Sequence, residues 1–519
     1  MRLLQPQRLR RGRSCALKPE KDLAMVQRKS VCVIGAGVSG LAAAKAFKDK
    51  GHDVTILDKA SDIGGVWVLS RSYPDVQTQS PKDLYRYTSK PMPKDYPEWP
   101  KGPQVHAYLV DYARENGLIG LIRFQTTVTA MTKRDGAAGW RLELGRADGG
   151  SETVDYDFVA VCIGHFNERN MLTFPGQPEF EAGGGQVMHS SQYNDASLAK
   201  GKDVVVLGFS KSATDIAVNA LKSGAKSVTI VYRENVWRVP YFIGGLINFK
   251  KILYIRAQEN MFPSWDRRLS NRVKHAIAKP FIWANWRALE SLLAIQLKFK
   301  KTGLRPKTPI ETGINCSVPI VTPGLYDMIA DGRIRAIQGT FESYASGTIK
   351  LTGGETLTAD LAILAVGWKI GVPFLSTEYQ QKLIDPDGQF RLFRVIANPD
   401  IPDMGFVGFN SSFCSVLTAE MAANWLVRYA DGRLAKQPTP AEMRIDIDKM
   451  LHWKRHIRPA AGVYGGLCVA PWHFRHFDEL LDDMGAKTKR SNPLADNLAP
   501  PNADLYARYL ASTPAYMAE

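Results

Sequence analysis

Val31-Cys32-Val33-Ile34-Gly35-Ala36-Gly37-Val38-Ser39-Gly40 reads as a short apolar strand running into a glycine-rich turn, and Leu41-Ala42-Ala43-Ala44 after it reads as a helix. Gly35 permits the turn, Gly37 lets a backbone approach a pyrophosphate, and Gly40 lets helix and strand pack closely. The helix N-terminus then offers N–H groups to the phosphates. A second strand, Asp53-Val54-Thr55-Ile56-Leu57, ends at Asp58. That acid sits about 20 residues beyond the turn, where a dinucleotide fold places its ribose-binding carboxylate. Strand, glycines, helix, strand and acid in register predict a Rossmann-type unit.

The pattern recurs once. Val204-Val205-Val206-Leu207 leads into Gly208-Phe209-Ser210-Lys211-Ser212-Ala213, and the strand that follows, Ser227-Val228-Thr229-Ile230-Val231-Tyr232, ends in Arg233 instead of an acid. Ser210 replaces the middle glycine and adds a hydroxyl near the phosphates, and Ala213 is tolerated at the last position. Arg233 matches a 2′-phosphate in charge and fork geometry, which favours NADPH over NADH, and Lys211 is a further phosphate candidate. Two units predict two nucleotides, and a chain that holds two redox nucleotides passes electrons between them. The fold class is therefore α/β, with two Rossmann-like dinucleotide-binding domains.

Several further motifs, in order along the chain, resemble those of the class B flavin-containing monooxygenases, in their plant and microbial branch. Phe174-Pro175-Gly176, Phe180, Gly185, His189 and Tyr193 resemble the FxGxxxHxxxY signature, with Phe180 three residues upstream of its usual place. The segment 208–215, Trp237-Arg238-Val239-Pro240, and the paired strands Asp157–Gly164 and Asp360–Trp368 also fit, and the resemblance spans about residues 30 to 485. It implies FAD at the first fingerprint, where Gly64-Gly65-Val66-Trp67 covers the flavin end, with Ser39, Lys59, Val128 and Gly164 as further contacts. It also implies NADPH at the second, with His189 beside the nicotinamide, and a Gln79 carboxamide near flavin C4a. The activity implied is NADPH- and O2-dependent oxygenation of nitrogen or sulfur in a small molecule through a flavin C4a-hydroperoxide. Baeyer–Villiger conversion of ketones to esters is the second reading, and Tyr193 stands where that sister group usually has tryptophan. An uncoupled NADPH oxidase, or a regulator that merely binds nucleotide, is the third.

The expected division is a basic, disordered extension over 1–29, FAD-binding segments over 30–170 and 371–435, an NADPH-binding domain over 171–370, and a helical and loop tail over 436–519. Charge is concentrated in two places. Residues 1–29 hold nine Lys/Arg against two acids, and residues 241–307 hold fourteen against three, out of a net +16 for the chain. The first segment reads either as an Arg-rich transit peptide or as sequence upstream of a start at Met25. The second interrupts the NADPH domain. Its apolar positions Ile277, Phe281, Ala284, Ala288, Leu292, Ile295 and Phe299 recur at helical spacing, which predicts basic amphipathic helices that either cover the active site or lie on an anionic membrane. No nucleic-acid module is recognisable. No apolar run is long enough to span a bilayer. Six cysteines form no CxxC pair and no disulfide framework, which fits a reducing, cytoplasmic setting. His473 and His476 lack companion ligands at metal spacing, so no metal is expected. Residues 490–503 read as a proline-rich loop.

Overall fold

Two five-stranded parallel sheets carry the chain, and their strands correspond one for one. The computed structural model describes residues 24–265, 269–314, 319–488 and 493–518. The first sheet runs Met404–Phe406, Phe158–Val161, Ser30–Ile34, Asp53–Leu57, Ile122–Arg123. The second runs Gln186–His189, Leu361–Leu364, Asp203–Leu207, Ser227–Tyr232, Arg335–Gln338. Every pairing in both is parallel, so both faces must be covered, and near-continuous apolar strands such as Asp203–Leu207 are buried along their length.

The duplication extends to single hydrogen bonds. Gly35 N donates to Leu57 O and Gly208 N to Val231 O, while Cys162 N donates to Ile34 O and Ala365 N to Leu207 O. An aspartate opens the equivalent strand in each unit. Asp157 accepts from Ser30 N at 2.8 Å, and Asp360 accepts from Asp203 N at 2.8 Å. Each carboxylate satisfies an N–H at the start of a buried strand, a group that would otherwise lack a partner. Each unit also carries a three-stranded antiparallel sheet: Thr126–Lys133, Trp140–Arg146 and Ser151–Tyr156 in one, and Phe341–Ala345, Thr348–Leu351 and Thr356–Thr358 in the other.

The chain passes from the first sheet to the second through Glu168–Arg169 and returns through Trp368–Lys369, and these two crossings pair antiparallel. The repeated motifs Asp157–Gly164 and Asp360–Trp368 are therefore the last core strand of each unit plus its exit. The helix Val38–Lys48 is alanine-rich on its buried side, and the helix Ser415–Ala430 packs against it there.

Gly208 tests the tightness of the second turn. Its φ is +128°, and a Cβ there would stand 2.4 Å from Ala365 O. Gly208→Ala should therefore destabilise the protein by about 2–4 kcal/mol, combining backbone strain with overpacking. A chemical denaturation midpoint equal to that of the parent would contradict this close packing.

Several expectations need correction. The extension expected over 1–29 is ordered at its end, where Ala24–Val26 forms a parallel ladder with Tyr516–Ala518; residues 1–23 lie outside the described residues. Within the expected loop 490–503, Pro493–Leu498 is helical, and residues 489–492 lie outside the described residues. Cys468 is disulfide-bonded, which differs from the expectation of no disulfide; Cys32, Cys162 and Cys414 are free and buried. In the basic insertion the helix Leu269–Gln296 carries the expected periodicity from Ile277 to Ile295, but that stripe faces outward, while Trp286, Leu293 and Leu297 face the core; Phe299, the last expected position, falls on the short helix Phe299–Thr302 and is buried. Both stripes are apolar at helical spacing, so periodicity alone could not say which one docks.

Candidate functional site

Gly35, Gly37 and Gly40 are bare for different reasons. A Cβ on Gly35 would lie 2.7 Å from Cys162 O, and one on Gly40 would lie 1.7 Å from Gly35 O, so the fold itself demands both. A Cβ on Gly37 would make only ordinary contacts with Gly64 and Gly65, the nearest being Gly65 Cα at 3.5 Å. Protein packing does not require Gly37 to lack a side chain, so its bareness points to something bound outside. Gly37 caps the helix Val38–Lys48, whose first turn holds no acidic residue. Its N–H groups and the positive end of its dipole face the same opening.

That opening is a cavity of about 750 Å3. Of the residues expected from sequence, Gly35, Gly37, Ser39, Asp58, Lys59, Gly65, Val66, Trp67, Gln79, Val128, Gly164 and Lys211 line it, whereas Gly40 is buried beneath it. Asp58 is held at the end of its strand by Ala36 N at 2.6 Å and Ala60 N at 2.8 Å. Lys59 reaches Asn167 O at 3.2 Å, with burial and then Arg71 pulling its pKa down. Trp67 donates its indole N–H to Tyr85 at 2.8 Å. Gln79 Oε1 accepts from Ile320 N at 3.0 Å, which fixes the carboxamide with its oxygen engaged and its NH2 as the remaining donor.

Three polar atoms on residues of this wall are buried without a hydrogen-bond partner: Thr78 Oγ1, His165 Nε2 and Asn410 Oδ1. Orphans of this kind cost free energy unless a ligand satisfies them, and a polar, elongated cofactor would do so. Burial pushes His165 down to about 4, so its ring is neutral near pH 7. Asn410 donates to His476 Nε2 at 2.8 Å and Thr418 O at 3.3 Å, which sets its amide orientation. His473 and His476 are themselves buried, and burial lowers both to about 3. These wall residues were absent from the sequence reading. His165 had a signal, since it directly follows Gly164, but Asn410 and Thr78 are loop residues whose neighbours come from distant segments.

One end of the cavity is aromatic. Tyr254 and Phe413 stack at 4.9 Å, and Ser80 donates to Phe413 O. Gln77 donates to Tyr241 at 2.6 Å. Gln79 is bonded to Ile320, which lines the same cavity as Tyr254, Phe413 and the glycine-rich turn.

The second fingerprint lies along the C-terminal edge of the second sheet. Ser210 caps the helix Lys211–Lys222 through its backbone only, and its hydroxyl lies 3.4 Å from that of Ser212. Ala213 is buried where the first unit has Gly40. Arg233 is exposed at the end of the neighbouring strand and forms no ion pair among the described residues. Lys211 differs from the phosphate-binding expectation. Its ammonium pairs with Asp215 at 2.5 Å, and Asp215 also accepts from Tyr73 at 2.9 Å and from Thr322. Burial is the main cause that lowers the Lys211 pKa, with Asp215 opposing it. His189 likewise offers nothing free: it is fully buried, bonding Gly367 O through Nε2 at 3.0 Å and Ser191 through Nδ1. Its ring meets Trp368 at the crossing between the sheets. Phe180, displaced in sequence, still packs on Gly185, where a Cβ would stand 2.4 Å from the Phe180 ring. The additional residues are absorbed by the helix Gln177–Ala182 and the turn after it.

Arg238 of the Trp237–Pro240 element is fully buried, 4.6 Å above the Phe209 ring, and donates to Phe209 O. It braces the turn of the second fingerprint.

The chain matches the FMO-like family, described as flavin-binding monooxygenase-like, over residues 28–489. It is 28% identical over 515 residues to the probable flavin-containing monooxygenase 1 of Arabidopsis thaliana, covering 91% of this chain and 94% of that one. Among solved structures, an S-allyl-L-cysteine S-oxygenase from Allium sativum aligns with a TM-score of 0.61 and 19% identity, covering 90% of each chain. An oxidised steroid monooxygenase bound to NADP aligns with a TM-score of 0.66 and 17% identity, covering 88% of this chain and 97% of that one. With the match extending over most of its length, this chain belongs to the flavin-binding monooxygenase-like family and is a flavin-dependent monooxygenase.

Proposed function

We propose that the protein binds FAD in the large cavity, takes reducing equivalents from NADPH at the second fingerprint, and transfers one oxygen atom of O2 to a neutral sulfur or nitrogen in a small molecule. The observation that carries this reading is one continuous cavity. It joins a glycine-lined helix N-terminus and the Asp58 carboxylate to an apolar, aromatic end at Tyr254 and Phe413. The residues fit the cofactor: Gly37 and Gly65 leave room for a pyrophosphate, Asp58 suits a ribose, and Thr78, His165 and Asn410 supply partnerless polar atoms on the wall. Bound there, the flavin would supply the hydride acceptance and oxygen activation that no side chain can.

The remaining tasks fall to the chain. Arg233 and the hydroxyls of Ser210 and Ser212 hold the phosphates of NADPH at the edge of the second sheet. Tyr254, Phe413 and Ile320 exclude water at the reacting end, where an apolar wall favours the uncharged form of an amine or a thioether, the form that carries a nucleophilic lone pair. Gln79, anchored by Ile320 N, directs its NH2 donor as a positioning group for developing negative charge. A ketone substrate is the competing reading, and product identity separates the two.

Gln79→Glu keeps the acceptor toward Ile320 but removes the donor and adds charge. Oxygenated product formed per NADPH oxidised should fall roughly tenfold to a hundredfold, with peroxide making up the difference. If NADPH oxidation and oxygenation fell together in proportion, or neither changed, Gln79 would have no role at the reacting end.

A further inference from the structure

We infer that a smaller cavity behind the Tyr254–Phe413 stack is a second subsite, which takes the neutral, hydrogen-bond-accepting tail of the substrate. This rests on the oxygenase reading above and adds the far end of the substrate to it. Tyr254, Ile320 and Phe413 line the large cavity on one side and a second cavity of about 20 Å3 on the other. These three side chains form a partition, in which the two rings lie nearly parallel, 13° apart. On the far side Phe249, Leu253, Phe262, Ile314 and Pro471 are apolar, and Gln258 is the exception. Gln258 is 4% exposed, and its Nε2 has no hydrogen-bond partner among the described residues. A buried amide donor left bare costs free energy unless something in the cavity accepts from it.

Slack in the chain does not account for the bare donor. Gln258 lies on the short helix Arg256–Glu259, which is pinned at both ends to the helix His473–Asp483. Arg256 pairs with Asp478 at 2.6 Å, and the Glu259 carboxylate accepts from Phe474 N at 2.9 Å and Arg475 N at 3.0 Å. The donor is therefore held in place before anything binds, which lowers the entropy lost on binding. Size and charge define what it accepts. About 20 Å3 holds one water-sized group, so an oxygen at the end of a chain fits and a ring does not. Arg256 is committed to Asp478. His473 stands edge-on to Tyr254 and Phe413, at 6.4 and 6.2 Å, and burial, followed by Arg256, lowers it to about 3, so its ring is neutral. With Arg256 committed and His473 neutral, a carboxylate would be buried without a countercharge. The tail is a carbonyl or hydroxyl oxygen on an apolar chain that passes between Tyr254, Phe413 and Ile320. Phe249, Tyr254, Gln258 and Phe262 all belong to the insertion 241–307, so the segment that interrupts the NADPH unit shapes the substrate site.

The test compares straight-chain methyl sulfides of graded length whose far end is a methyl group, a primary carboxamide or a carboxylate. At one chain length the amide should show a KM about tenfold below that of the plain sulfide, and the carboxylate should gain nothing. Gln258→Leu keeps the bulk and removes the donor, and should bring the amide and plain-sulfide KM values together. Gln258→Met should do the same even if the leucine variant folds poorly. Binding is read separately from turnover: the amide should raise the Tm of the parent holoenzyme more than the plain sulfide does, and this difference should vanish in both variants. Amides that bind with this preference but yield no sulfoxide would contradict the oxygenase reading and leave the subsite standing. Equal KM values and equal Tm shifts for amide and plain sulfide at every length would overturn the subsite and leave a bound water as the partner of Gln258. A preference that survives both substitutions would overturn it as well.

Discussion

Gly37→Asp yields a folded protein that has lost its flavin. The structure separates this position from its neighbours. Gly35 and Gly40 are enclosed by backbone, with a Cβ at Gly40 only 1.7 Å from Gly35 O, so Gly40→Ala should disrupt the turn itself. Gly37 has space for a Cβ, the nearest atom being Gly65 Cα at 3.5 Å, and the aspartate carboxylate would project into the cavity at the N-terminus of Val38–Lys48. A pyrophosphate there would face a like charge at close range. At about 4 Å and an effective dielectric near 20, one pair of unit charges costs about 4 kcal/mol, roughly a thousandfold in affinity. The purified variant should be colourless, with a circular dichroism spectrum and unfolding profile close to those of the flavin-free parent. A yellow variant with full flavin content would remove the pyrophosphate from this turn.

Arg233→Ala should shift nucleotide preference without disturbing the fold. Arg233 ends the strand Ser227–Tyr232, is exposed, and lies on the strand next to the one that delivers Gly208 and Ser210. Among the described residues only its backbone carbonyl is engaged, by Gln338 at 3.0 Å. A charge-assisted contact to a 2′-phosphate contributes about 1.5–3 kcal/mol, so KM for NADPH should rise roughly ten- to a hundredfold. KM for NADH, which lacks that phosphate, should change little. Equal increases for both nucleotides would show that Arg233 supports the turn instead of reading the phosphate.

Much of this arrangement was legible because it follows from backbone requirements. Gly35, Gly40 and Gly208 stand where a Cβ collides with a carbonyl, and Asp58 and Arg233 end strands whose apolar runs are unmistakable. The duplicated Asp-led strands at 157 and 360 were visible as repeats, and their equivalent carboxylate–N–H bonds give the physical reason for the repeated aspartate. What stayed hidden depends on contacts between distant segments. Lys211 has the right spacing for a phosphate ligand, yet Asp215 claims it, and Tyr73 and Thr322 hold that Asp215 carboxylate in place. His189 fits a signature but serves the crossing between the sheets, through Gly367 and Trp368. His165, Thr78 and Asn410 emerge only when buried polar atoms without partners are mapped onto one cavity. The insertion helix has two apolar stripes, and which of them is covered is a property of tertiary packing that a 3.6-residue period does not contain.

The most direct test is a turnover experiment with NADPH and isotopically heavy O2, offering a thioether, a tertiary amine and a cyclic ketone in parallel. Transfer of a single heavy oxygen atom into the sulfoxide or N-oxide, matched by NADPH consumed, is the expected result. Ester formation from the ketone alone would move the enzyme to the Baeyer–Villiger reading. Peroxide release with no labelled product from any of the three would contradict oxygen transfer to these substrate classes.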